Sequence, residues 1–383
     1  MKEKTAKIKN ILFGIILLLL LLPMIQAGLN IFEVKPLQGA IETVEKPQFS
    51  FESWKAGDYQ RDYEKYLNAN FGFRSTMIRI SNQQAYSFYG EAKANGVVIG
   101  KEGYLYEKNY LKAYLGTDYI GEEAINTQVS KLRQLQDTLK KLNKDILMII
   151  APGKASFFPE YLPDYCKGQQ RENTNYKSYV AATKKQQINY VDFNRWFMEM
   201  KSSSKYPLYA KAGIHWSKYG EYLAGDSIIR KIGIMRNTEM TQLVLDKIEV
   251  KKVNEQGDYD VGEGMNLFFL LDMYPMAYPV YHFKKPENMK APRVTFVSDS
   301  YYWGLFNAGF ATEVFGGGQF WYYNQEIYPD SYDNLKKVED IDIQTEAEKN
   351  DVIVLLCTDA NLYKFAFGFI DQLHEKYYGK SKI

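Results

Sequence analysis

The stretch that decides the fold is RVTFVSDSYYWGLF, residues 293–306. An apolar run ends at Ser298-Asp299-Ser300, and a helix-compatible segment follows at once. A buried strand of a parallel sheet reads as a short continuous apolar run rather than as an alternation, because both of its faces are covered. Three further runs have the same character: DILMIIA (145–151), INYVDF (188–193) and DVIVLLC (351–357). Helix-period stretches over 122–143, 173–187, 217–231, 300–310 and 361–377 alternate with them. The pattern predicts an α/β fold, a doubly wound, mainly parallel sheet flanked by helices in the flavodoxin-like manner.

Such sheets place their chemistry in the crevice beyond the carboxyl ends of the strands. The residues of interest are therefore those that follow each run: PGK (152–154), Asp192, SDS (298–300) and TDAN (358–361). No Gly-x-Gly-x-x-Gly motif is present, which argues against a dinucleotide enzyme.

Ser300 lies where a strand gives way to a helix, and two readings compete there. Ser and Asp are preferred helix N-caps. A serine at that point is also well placed as a nucleophile, since nearby backbone N–H groups can stabilise an oxyanion. A serine nucleophile needs a base, and the chain has three histidines, His215, His282 and His374. His374 lies on a charged helical face, and His282 flanks a basic loop. His215, in AGIHWSKYG (212–220), precedes a helix on a loop that also carries Trp216, which makes it the candidate base.

Composition narrows the function classes. The 383 residues are 46% apolar and 25% charged, with a formal charge of +2, so bulk-charge binding of nucleic acid is excluded. Lys2, Lys4, Lys7 and Lys9 precede the 15-residue apolar run ILFGIILLLLLLPMI. Residues 1–27 are thus expected to be a signal anchor or signal peptide, with the lysines inside and the remainder exported to the periplasmic or extracellular face of the membrane. Residues 28–50 read as a linker and 51–383 as the working domain. That domain begins with a tyrosine-rich amphipathic helix (Tyr59, Tyr63, Tyr66, Leu67), then a strand–turn–strand around GKEG (100–103). Two cysteines 191 residues apart offer no disulfide framework, and the scattered histidines and cysteines suggest no metal site.

Four blocks, VVIGKEGYLYE, MIIAPGKASFFPEYLP, PLYAKAGIHWSKYGEYLAGDSII and VTFVSDSYYWGLF, together resemble the alginate O-acetyltransferase family of the AlgJ/AlgX type. The resemblance covers roughly residues 50–375 and implies an SGNH-hydrolase-like domain. It implies Ser300 as nucleophile and His215 as base. Where that family carries the acid of its Asp-x-His-Trp element, this chain has Gly213. The consequence is a Ser-His dyad, a substitute carboxylate from elsewhere, or a binding domain that has lost catalysis. Asp192 and Asp359 both follow strands at the expected edge, and Asp359 is carried forward as the acid. Lys154, Tyr301, Trp216 and Asn361 are the expected substrate-side residues. The implied activity is polysaccharide O-acetylation through a serine ester, without a bound cofactor, and with a membrane-bound O-acyltransferase as acetyl donor. An acetylesterase and a non-catalytic polysaccharide-binding protein are the alternatives.

Overall fold

The structure is a computed structural model that describes residues 2–39, 43–252, 257–287 and 289–379. The chain forms two compact units, residues 1–95 with 262–270, and residues 96–261 with 271–383.

The first unit opens with the helix Lys2–Leu29, whose segment Ala6–Leu29 has a mean hydropathy of 2.5 and is long and apolar enough to cross a membrane. Ser50 caps the helix Phe51–Ala56 by accepting from Ser53 N–H, and Gly57, at φ 85°, turns the chain into Asp58–Asn70. The tyrosine row is present there, with Tyr63 stacked 5.5 Å from Tyr59 and tilted 6.0 Å from Tyr66. The helix Arg74–Tyr89 gathers the remote segment into the same unit, because Arg79 donates to the carbonyls of Pro36 and Leu267 and Asn82 donates to that of Met265.

In the second unit the strands, in chain order, are β1 (Val97–Ile99), β2 (Leu105–Glu107), β3 (Asp145–Ala151), β4 (Tyr190–Asp192), β5 (Gln242–Lys251), β6 (Met276–Lys284), β7 (Val294–Ser298), β8 (Phe320–Tyr322), β9 (Glu326–Tyr328) and β10 (Val352–Thr358). The central sheet has the order β4-β3-β10-β7-β8-β9, parallel except for the last pair. The predicted doubly wound α/β class is borne out. Every residue of β3, β7 and β10 is buried, which is why those runs do not alternate. On one face Ile146, Met148, Ile150, Ile353, Leu355 and Cys357 pack under the helices Glu122–Lys141, Asn175–Lys185 and Phe369–Tyr378. Each such aliphatic side chain contributes roughly 1.5–3 kcal/mol by leaving water.

The expected strand–turn–strand is the antiparallel pair β1–β2 around a turn at Lys101–Gly103. A second antiparallel pair, β5–β6, and the short strands β8 and β9 extend the fold beyond the predicted elements. Cys166 and Cys357 are both buried and free. The stretch 300–310 is broken: a 3₁₀ turn at Ser300–Tyr302 precedes a short helix, Trp303–Asn307.

Candidate active site

The turn after β7 is organised by Asp299, which is fully buried. Its Oδ1 accepts from Tyr301 N–H at 3.2 Å, so Asp299 supplies the cap at this strand-to-helix junction. Its Oδ2 accepts from the Thr358 N–H at 2.9 Å, the Thr358 hydroxyl at 3.0 Å and the Asn361 amide at 2.9 Å. These bonds tie the end of β7 to the end of β10. Capping does not draw on Ser300, whose Oγ lies 2.8 Å from Nε2 of His215.

His215 sits on a loop braced from three directions. Lys154 Nζ donates to the carbonyls of Lys211 (2.7 Å) and Gly213 (2.6 Å). The Tyr301 hydroxyl donates to the Ile214 carbonyl at 2.7 Å. The Ile214 N–H donates to Asp260 Oδ1 at 2.9 Å. Trp216, 4% exposed, packs on Phe193, Phe197 and Tyr301. Beyond it Ser217 caps the helix Lys218–Arg236, accepting from Gly220 N–H at 3.0 Å and donating to the Pro207 carbonyl at 2.7 Å.

The carboxylate on His215 is Asp260, whose Oδ2 lies 2.7 Å from Nδ1. A carboxylate only accepts, so this contact calls for a proton on Nδ1 and leaves Nε2 free to accept from the Ser300 hydroxyl. Burial alone would lower the His215 pKa. The hydrogen bond and charge of Asp260, with the charges of Asp299 and Glu107, outweigh it and hold the imidazole above its ordinary value.

Asp359 does not take the expected place. It is buried beneath the sheet edge, accepts from Ser156 and, at 3.4 Å, from the Asn194 amide, and burial pushes its pKa up to about 7. Asp192 caps the helix Phe193–Met200 through Arg195 N–H and accepts from the Tyr176 hydroxyl. The empty acid position at Gly213 has a steric reason. A Cβ there would fall 2.6 Å from the Gly257 carbonyl oxygen and 2.9 Å from that of Asp258. The strand of chain that delivers Asp260 passes where a side chain at 213 would stand.

The expected substrate-side residues divide differently. Lys154 is fully buried and spends its donors on the His215 loop, and burial lowers its pKa to about 7. Asn361 is spent on Asp299. Both are braces, since their donors are taken up inside the fold. Tyr301 and Trp216 are also almost wholly buried, yet they border the open cleft beside Ser300. That cleft has a volume of 620 Å³ and is lined by His215, Lys218, Glu221, Asp260, Ser300 and Trp303 among others. His282 pairs with Asp246 on the β5–β6 hairpin, and His374 bonds Gln134. Among the described residues, no three His, Cys, Asp or Glu side chains are grouped to hold a metal.

Asp260 escaped the sequence reading. It stands in GDYD (257–260) with no periodic run around it, and the one signal is a pair of aspartates just before a small-residue turn.

Three solved structures align with much of the chain. The O-acetyltransferase domain of Pseudomonas putida AlgJ is 18% identical, with 73% of this chain and 99% of that one covered at a TM-score of 0.48. Pseudomonas aeruginosa AlgX is 14% identical over 75% of this chain and 71% of that one, at 0.45. Bacillus cereus PatB1 is 13% identical over 71% and 99%, at 0.43. No curated protein matches the chain. Residues 97–263, which include His215 and Asp260, match the family model described as SGNH hydrolase-like domain, acetyltransferase AlgX, and the resemblance to that acetyltransferase family is thereby borne out.

Proposed function

We propose that this chain is an exported polysaccharide O-acetyltransferase that works through an acetyl ester on Ser300. The observation that carries the reading is the continuous relay from Ser300 Oγ to His215 at 2.8 Å and from His215 to Asp260 at 2.7 Å, opening on a 620 Å³ cleft. The family match of residues 97–263 supports acetyl transfer as the reaction class.

In the first half-reaction Ser300 Oγ attacks the acetyl carbonyl and His215 Nε2 takes its proton. The proton passes to the departing donor oxygen as the carbonyl–donor bond breaks, leaving acetyl-Ser300. In the second, His215 deprotonates a sugar hydroxyl, whose oxygen forms the new ester while the bond to Ser300 Oγ breaks and Oγ recovers the proton. Asp260 holds the imidazole in the required tautomer and stabilises the imidazolium in both steps. The Ser300 backbone N–H is the first candidate to stabilise the oxyanion.

The apolar helix Lys2–Leu29 would hold the chain at the membrane with its basic end inside. Acetyl-CoA is a cytoplasmic donor, and the family resemblance implies a membrane-bound O-acyltransferase as the partner that would recharge an exported serine. The non-catalytic alternative drew its force from the missing acid at 213, and the Asp260 carboxylate 2.7 Å from His215 supports the catalytic reading in its place.

The test is to incubate the full chain with a chromogenic acetyl ester and read the mass of the tryptic peptide that carries Ser300. One acetyl group is expected in the wild type and none in Ser300→Ala. A wild type that is never acetylated by any acetyl donor rejects the reading. A reporter fused after residue 383 tests topology, and activity in the cytoplasm alone would reject export.

A further inference from the structure

The cleft beside Ser300 has a second polar feature that the acyl-transfer steps do not use. Lys218 and Glu221 lie on the first turn of the helix that follows His215, and Lys218 Nζ donates to both Glu221 oxygens at 3.1 Å. The Glu221 side chain is 10% exposed, and burial pushes its pKa up against the pull of Lys218. The room it occupies is reserved across the cleft. A Cβ on Gly304, one turn after Ser300, would fall 1.8 Å from Glu221 Oε2. Glycine at 304 is therefore what lets a carboxylate stand beside the nucleophile's helix.

Next to Gly304 in the chain and lining the same cleft, the half-buried Trp303 is held by edge contacts with Phe320 (4.8 Å), Tyr322 (5.4 Å) and Tyr328 (4.7 Å). An indole held in place beside a paired carboxylate and ammonium suits a ring that is apolar on its face and rich in hydroxyls at its edge. The carboxylate accepts from neighbouring hydroxyls, and the ammonium donates to the oxygen between them.

The charge balance separates sugar classes. Among the described residues lining the cleft, Lys218 is the one lysine or arginine, and Glu221 already forks it. Asp260 and Glu221 put two carboxylates in the same space. A uronic acid would bring a third negative charge with no free cation to meet it, and an unpaired charge in a partly desolvated site is costly.

We propose that the acceptor is a neutral, hydroxyl-rich sugar, oriented by the Lys218–Glu221 pair across Trp303, and that this cleft discriminates against uronic-acid polymers. The inference rests on the acetyltransferase reading for its chemistry, while acceptor binding is measurable without any transfer.

The experiment is calorimetric titration of the full chain in detergent with β-gluco-oligosaccharides and with oligomannuronates at one ionic strength. Neutral oligosaccharide should bind at least about ten-fold tighter. Glu221→Gln frees Lys218 and removes a negative charge, so the preference should shift towards the uronate by about ten-fold. Lys218→Met, a second variant in case the first does not fold, should weaken the neutral ligand and leave the uronate excluded. Uronate binding as tight as the neutral ligand, or no neutral binding at millimolar sugar, overturns the proposal. If neutral sugar binds but Ser300 is never acetylated, the acyl-enzyme reading fails while the ligand class stands.

Discussion

Asp260 Oδ2 lies 2.7 Å from Nδ1 of His215, and its Oδ1 accepts the backbone N–H of Ile214 at 2.9 Å. One carboxylate thus fixes both the ring and the loop that presents it. Asp260→Asn should lower ester turnover by about a thousand-fold or more, since the wrong imidazole tautomer becomes available. His215 must be neutral to act as base, and its raised pKa places the midpoint of the acid limb of the kcat/KM profile above the ordinary 6.5. Removing the Asp260 charge leaves the lowering effect of burial, so the midpoint should fall in whatever activity remains. A variant with wild-type turnover and an unmoved profile would remove Asp260 from the relay.

Gly213→Asp looks from the sequence like the repair of a missing acid. Its Cβ would lie 2.6–2.9 Å from the backbone of Gly257 and Asp258, atoms that cannot swing aside. The expected outcome is a loss of about 1–3 kcal/mol in stability and lower turnover, because the segment carrying Asp260 is pushed off His215. Thermal unfolding and ester hydrolysis together check this, and a gain in turnover would contradict it.

Lys154→Met should act on rate rather than on binding. The substitution leaves the buried carbonyl of Gly213 without its donor and takes one of two donors from that of Lys211, which keeps the Leu105 N–H at 3.0 Å. The unpaired Gly213 acceptor costs roughly 1–3 kcal/mol, and a loosened His215 loop lowers kcat. A pure rise in KM, with kcat and unfolding midpoint unchanged, would restore Lys154 to the substrate side.

Asp359 shapes the pH dependence of folding. Its carboxyl has an ordinary value of 3.8 and is pushed to about 7 by burial, so between those values the folded state binds the extra proton. The stabilising contribution is complete below about pH 4 and is lost as pH rises through about 7. Asp258, raised to about 7 by burial, acts in the same direction. Asp359→Asn should therefore flatten, without abolishing, the fall in urea midpoint across that window. An unchanged slope would show that Asp359 is already ionised in the folded protein.

The strands β3, β7 and β10 were legible because burial on both faces forces unbroken apolar runs, and such runs are local in sequence. The strands β8 and β9, at three residues each, are too short to carry a period, and β5 is largely solvent-exposed, so nothing forces its pattern. Ser300 and His215 were legible for a related reason: each stands at the end of a recognisable element, on the edge where a parallel sheet gathers its loops.

By itself, the sequence determined the parallel sheet, the apolar leading helix, and the serine and histidine that meet at 2.8 Å. The tertiary structure decided the rest. It chose Asp260 over Asp359 because a carboxylate reaches an imidazole through space, across 45 residues with no shared periodicity. It turned Lys154 and Asn361 from ligands into braces because burial, which depends on every neighbouring element, leaves their polar atoms partners inside the fold: the Lys211 and Gly213 carbonyls for one, Asp299 and the Thr358 hydroxyl for the other.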